Sequence, residues 1–436
     1  TAEGTLTNKG TLYIYEGGQI LNNDQVVTPN APIDASSRPI PAGEVVIDLD
    51  EVSGHYIEIG KDSYTIDDDF NDENPGRTFP YDPAKNTIVL TGEWTGSVGN
   101  RQSVVTLEAG LTSTVILRDA AFNIQADNNN YGHAAALALS DNCTTTLLLE
   151  GTNTVTPVKD TSNNRSIAIR TASTSSLTID GDDDGTLNLN YEGTSWRFGI
   201  GNSEGTMGTI TVNGGNFTSE VNSDNGQMSN GYGLFYGHGG TLIFNNGEIT
   251  GEMFIAPRMI WGAGNVGINV TINGGDINVA HEDGSENNGS GTYSQVTING
   301  GSVSVPSLYV NNLQVNGGEL MTDVYMTNGN NFVINGGIVT VDGTRIDPGW
   351  SPNPDYRRTP TAITGGSVKM IYNDGTQEQK LSNVGDYYLT KLENQSGVTS
   401  VTVDGVNQNI AANHPEDNTL YLYLKHDEST TSHTIV

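Results

Sequence analysis

The chain has 436 residues, with 19 Lys and Arg against 51 Asp and Glu, for a formal net charge of −32. That balance excludes the counterion-release chemistry by which proteins hold DNA or RNA, disfavours anionic membranes and acidic polysaccharides, and leaves neutral partners as the expectation. A single cysteine, Cys143, rules out an internal disulfide and a cysteine zinc site, and no apolar run reaches the roughly 20 residues of a membrane span, so no membrane insertion is expected.

In chain order, residues 1–100 read as an irregular β region, with capping coils as the simplest role. TLTNKGTLYIYEGGQIL (5–21) suits one β coil, a proline-bearing stretch follows at 29–43, and VVIDLDEVSGHYIEIG (45–60) resumes extended structure. The chain starts at Thr1 with no Met and no signal sequence. It therefore reads as a piece of a longer precursor whose export signal lies outside it.

From 101 to 371 one motif recurs. VTINGGDINV (270–279) and VTINGGSVSV (296–305) are near copies, and TVNGGNFTS (211–219), IFNNGEITG (243–251), LQVNGGELM (313–321), VINGGIVTV (333–341) and ITGGSVKMI (363–371) are looser ones. Taking the glycine after each Asn or its equivalent, Gly214, Gly247, Gly274, Gly300, Gly317, Gly336 and Gly365 are separated by 33, 27, 26, 17, 19 and 29 residues. Within each copy the apolar residues alternate, so each strand has one apolar face and one polar face. A lone hairpin of this kind is barely stable, whereas stacked copies would bury their apolar faces in one column. The spacing predicts an all-β, right-handed parallel β-helix whose Asn-Gly-Gly segments are corners. Asn-Gly between alternating apolars is also the strongest short hairpin signal, so an antiparallel meander is the competing architecture.

After residue 371 the rhythm stops. YYLTKLENQ (387–395), VTSVTVDGV (398–406) and NTLYLYLKH (418–426) predict a small antiparallel β unit over 372–436, suited to capping an open end. No helix is expected anywhere.

LEGTNTVT (149–156), IDGDDDGTLNLN (179–190) and FGIGNSEGTMGTITVNGGNFTSE (198–220) together resemble the Gly/Asn-rich β-helix modules of bacterial surface adhesins, gut-type ones in particular. The closing LYLYLKHDESTTSHTIV is similar to the C-terminal β unit that follows such modules. The resemblance covers roughly 145–370 and the last 50 residues. It implies a parallel β-helix, an extracellular or cell-surface location, and a role in adhesion or carbohydrate binding. The implied partners are neutral glycans or host and bacterial surface molecules. It transfers no catalytic residue.

Three constellations bear on chemistry. Sugar recognition uses aromatic platforms and polar groups on loops held by a rigid scaffold. The insertion DPGWSPNPDYRRTP (347–360) offers Trp350, Tyr356, Arg357 and Arg358, and further candidates are Tyr191, Trp196 and Arg197, with Arg258 and Trp261. Asp180, Asp182 and Asp184 stand at the alternating spacing that aims carboxylates at a hard cation, which makes structural calcium the only cofactor expectation. The twelfth position from Asp180 is Tyr191 rather than an acid, and a solvated turn explains the run equally well. Gly237-His238-Gly239 resembles a motif of polygalacturonase-like glycosidases, yet the paired acids expected shortly before it and the Arg-x-Lys after it are missing, so an ordinary turn is the better reading. Adhesion or glycan binding without catalysis is the leading expectation. A polysaccharide-cleaving β-helix enzyme, hydrolase or lyase, including the phage-spike type, is one alternative, and a structural surface stalk is the other.

Overall fold

In a computed structural model the described residues are 20–22, 25–27, 44–67, 77–81, 87–98, 103–125, 134–156, 166–181, 184–192, 197–202, 205–222, 232–251, 255–257, 267–279, 295–310, 312–326, 331–342, 361–371, 378–380, 383–384, 387–408, 419–426 and 432–436. They are all strands, turns and bends, without a helix.

Parallel pairing decides between the coil and the meander. Strand Ile268–Ile272 pairs in parallel with Gln295–Ile298, so Val270 lies beside Val296 and Ile272 beside Ile298. The second strands of the same two motifs, Asp276–Val279 and Ser302–Val310, also pair in parallel. Each Asn-Gly-Gly segment is therefore a corner between two faces of a parallel β-solenoid. Parallel pairing begins with Val45–Asp48 on Thr87–Ser97 and ends with Ile338–Asp342 on Ser367–Ile371.

The first face carries the core column most plainly. Val45, Ile88, Val115, Leu147, Ile179, Val212, Phe244, Ile272, Ile298, Val315, Ile334 and Ile363 stand one above another through successive registered pairs. From Ile88 onward every one is buried. Each such side chain contributes roughly 1.5–3 kcal/mol through its removal from water. A second face runs through Thr152–Thr156, Thr186–Glu192, Asn216–Asn222 and Glu248–Gly251, and a third through Ser103–Leu107, Ala134–Leu139, Ser166–Thr171, Arg197–Gly201 and Tyr232–Gly237. Their inward residues join the same core, with Trp94, Phe122, Phe217 and Phe235 as its largest members. Asn153 is the polar exception on the second face. It is fully buried, its Oδ1 accepts from Ala120 N–H at 2.9 Å, and its Nδ2 donates to the carbonyls of Glu150 and Thr186.

The corners stack as closely as the strands. Asn245 Nδ2 donates to Asn213 Oδ1 at 2.9 Å, and the same bond repeats from Asn273 to Asn245, Asn299 to Asn273, Asn316 to Asn299 and Asn335 to Asn316, each at 2.8 Å. Thr364, which replaces Asn in the last copy, ends the ladder by donating its hydroxyl to Asn335 at 2.7 Å. Positive φ falls on the second glycine of the corner: Gly275 is at +78°, Gly301 at +81° and Gly318 at +73°. A Cβ on Gly301 would lie 2.5 Å from the Gly275 carbonyl oxygen, and one on Gly318 would lie 2.5 Å from that of Gly301. The sequence alignment also slips by one residue at Asn245-Asn246-Gly247. Gly247 is the counterpart of Gly215 and Gly275, since its carbonyl accepts from Asp276 N–H while its own position faces the Gly215 carbonyl.

The two ends differ. At the start, Tyr56–Ile59 adds Ser63–Asp67 and then Arg77–Pro80 as antiparallel strands on the third face, with Tyr64 stacked on Phe79 at 5.0 Å. At the far end, Asn383–Val384, Tyr387–Leu392 and Leu420–Lys425 form an antiparallel sheet, with Val401–Val403 and Val406–Gln408 as a separate hairpin. Tyr387 and Tyr423 belong to the solenoid core, and the Tyr387 hydroxyl donates to the Thr361 carbonyl at 3.1 Å, so this unit is seated on the last coil. A second, smaller core of Val401, Val403, Leu420, Leu422 and Leu424 lies within it. The last residues close the unit: Thr402 and Val436 exchange backbone bonds of 2.9 and 3.0 Å. His433 is held there between two acceptors, Asp404 Oδ2 at 2.6 Å from Nδ1 and the Lys425 carbonyl at 2.7 Å from Nε2.

Candidate functional site

The loop aromatics and cations fall largely outside the described residues: Trp350, Tyr356, Arg357, Arg358, Trp196, Arg258 and Trp261 all do. Tyr191 lies near the end of strand Thr186–Glu192 and Arg197 opens strand Arg197–Gly201, on neighbouring faces of the coil.

Of the candidate calcium ligands, Asp182 is outside the described residues. Asp180 is half-buried and Asp184 exposed. Asp180 sits one coil below the foot of the Asn ladder, and a Cβ on Gly214 would lie 3.0 Å from its Oδ1. That oxygen accepts from its neighbour Gly181 N–H at 3.0 Å. Every amide of the ladder donates downward, so its foot presents N–H, and a carboxylate there is electrostatically complementary. Among the described residues no group of three or more His, Cys, Asp or Glu is placed to hold a metal ion.

His238 is buried, and its backbone N–H donates to the Gly205 carbonyl at 2.9 Å. A Cβ on Gly237 would lie 3.0 Å from Met207 Cβ, and one on Gly240 would lie 2.7 Å from the Gly208 carbonyl, so close passage of one coil over another accounts for these two glycines. Cys143 is buried, with its thiol 3.0 Å from the Glu108 carbonyl, and burial pushes its pKa up, which suits a packed thiol rather than a nucleophile.

What the strands do assemble is an outer face. On the first face two columns of outward side chains run parallel to the core column. One is Thr112, Thr144, Ser176, Thr209, Thr241, Asn269, Gln295 and Asn312. The other is Thr114, Thr146, Thr178, Thr211, Ile243, Thr271, Thr297 and Gln314. None carries a charge. The second face is different, because its outer positions include Glu220, Glu248, Asp276 and Glu319, all exposed, with Glu248 directly beside Asp276. Its hydroxyls also pair with neighbours, as where Thr218 donates to Asn188 Oδ1 at 2.7 Å. On the first face, by contrast, no hydrogen bond engages the hydroxyls of Thr144, Thr146, Thr178, Thr209, Thr211 or Thr241 among the described residues.

Sequence reasoning that looked for aromatic loops missed these columns. The signal was present as Thr-x-Thr at 112–114, 144–146 and 209–211, in phase with the corners. Thr is an ordinary exposed strand residue, so only the registered stacking shows that the copies make one surface. Comparison with known proteins returns no matching family model, no matching curated protein and no matching solved structure.

Proposed function

We propose that this chain is an extracellular or cell-surface adhesin or glycan-binding β-helix that acts by repeated contacts along its length and makes or breaks no bond. The observation that supports it most is the register. Outward side chains of successive coils repeat at one strand spacing, about 4.8 Å, so individually weak contacts to a repetitive partner add up. The charge supports the same reading, since a chain at −32 repels acidic polymers and tolerates neutral ones. The loop residues Trp350, Tyr356, Arg357 and Arg358, and the Asp180–Asp184 run as a calcium ligand set, belong to this proposal as additional contacts.

A glycan array read with and without calcium, run beside a reducing-sugar release assay, tests it. Saturable binding to neutral glycans with no product released is the expected outcome. Product release that persists through purification would instead establish a polysaccharide-cleaving enzyme. Silence in both assays would leave the stalk.

A further inference from the structure

We infer that the two uncharged outer columns of the first face are the docking surface for an extended neutral polysaccharide chain that lies along the solenoid axis, one sugar residue per coil. The inference rests on the glycan-binding reading and adds where the ligand sits, how it is oriented and which linkage geometry it needs.

Charge argues for it first. The chain has 51 acidic residues, yet the two outer columns from Thr112 to Gln314 hold none, while the adjoining face is studded with them. Neutral hydroxyls and amides suit a ligand made of neutral hydroxyls.

Spacing is the second argument. Coils are stacked at about 4.8 Å, close to the length of one pyranose residue in an extended β-1,4-linked chain. A contact made by Thr178 at one coil is therefore available again from Thr211 at the next, with a small offset per sugar that grows along the chain. A glycan laid across the strands in this way meets a hydroxyl or amide side chain at every step of both columns except Ile243. Because successive β-1,4-linked sugars are turned by about half a revolution, like groups of the glycan face one column at every second coil. The two columns sit two residues apart on each strand, about 6.6 Å, which makes a track about one sugar ring wide. Along it, Thr methyls can meet ring C–H groups while Thr hydroxyls exchange hydrogen bonds with the sugar's own.

Availability is the third argument. The hydroxyls of Thr146, Thr178, Thr209 and Thr211 engage nothing among the described residues, so a ligand need not break an internal bond to reach them.

The test is calorimetric titration of the full chain with neutral β-1,4-linked gluco- and manno-oligosaccharides of two to six residues, with oligogalacturonate as the acidic control. Affinity should rise with each added sugar, and the acidic series should bind at least tenfold more weakly. The pair Thr178→Glu and Thr211→Glu should weaken the hexasaccharide at least tenfold. The pair Thr178→Ser and Thr211→Ser should stay within about threefold, and both should keep the parent melting temperature within a few degrees. Glycan binding that ignores the Glu pair overturns this inference and leaves the glycan-binding function standing on other residues. An absence of any glycan binding removes both. A change from dimer to monomer in light scattering on introducing the Glu pair would also overturn it, by showing that a second copy of the chain covers the face.

Discussion

Gly301 and Gly110 separate two reasons for using glycine. Both have positive φ, +81° and +78°, but a Cβ on Gly301 would strike the Gly275 carbonyl oxygen at 2.5 Å, whereas Gly110 has nothing within 4 Å. Gly110→Ala should cost only the left-handed strain, about 1–2 kcal/mol. Gly301→Ala should cost about 3 kcal/mol or more, because coil contact must also give way. Urea denaturation midpoints of the two variants check the difference. Thr145 offers the opposite sign. It stands in an inward column between Ser113 and Leu177, is 1% exposed, and its hydroxyl has no hydrogen-bond partner among the described residues. Thr145→Val keeps the shape and removes an unsatisfied buried group, so it should raise stability by about 1 kcal/mol in the same assay.

His433 sets a pH dependence at the C-terminal closure. Both of its ring nitrogens face acceptors, so only the imidazolium satisfies both contacts. The Asp404 carboxylate raises its pKa above the ordinary value, burial opposes this, and the Lys425 carbonyl adds to the rise. Among the described residues His426 also lies beside it, edge-on at 5.4 Å and itself against Tyr388. Asp404 is held below its ordinary value, first by Thr434 N–H and then by His433. With pKa raised, the His433 contribution is complete below about 6.5 and disappears as pH rises through its folded value. With pKa lowered, the Asp404 contribution is complete above about 3.9 and disappears as pH falls through its folded value. The closure is therefore firmest between those two limits. An NMR titration should place His433 above a random-coil histidine, and Asp404→Asn should return it towards that reference. An unchanged His433 titration in Asp404→Asn would contradict the assignment.

At the scale of the element, the corner is a unit of paired amides and close-packed glycines. Asn273 both donates to Asn245 and accepts from Asn299, so Asn273→Ala removes two bonds at an exposed site, for a loss of about 1–2 kcal/mol. A double-mutant cycle with Asn299 should return a coupling of about 0.5–1 kcal/mol, and zero coupling would mean that the ladder is geometry without energy. The corners were legible in the sequence because a steric requirement repeats there: no other residue fits under the carbonyl of the coil above or below. Their alignment slipped only at Asn246, where a side chain stands in the place of the first glycine. The outer Thr columns were not legible as a surface. Nothing local distinguishes Thr178 from any exposed strand residue until Thr146 and Thr211 are seen on either side of it. The Asp180 run is ambiguous in another way, because a spacing suited to a cation loop is also produced where a strand ends in an acidic turn, and Asp182 lies outside the described residues.

For the molecule as a whole, one core runs from Ile47 to Ile363 and takes in Tyr387 and Tyr423 of the C-terminal unit. Period-two alternation foretold that column, and the near-identical decamers foretold its parallel sense. The parallel pairing of Val45–Asp48 was harder to read, since no Asn-Gly-Gly corner marks the first coils. The function proposed above depends on the column, because outward residues share a repeat only if inward ones do.

Electron-spin distance measurement tests this most directly. A label fixed at Thr297 and a partner moved through Thr211, Thr178 and Thr146 spans three, four and five coils of one outer column. Mean separations should be about 14, 19 and 24 Å, lengthening by about 4.8 Å for each coil. Separations that fail to lengthen in that order, or that exceed about twice these values given the rise per coil, would show that the segments do not lie over one another.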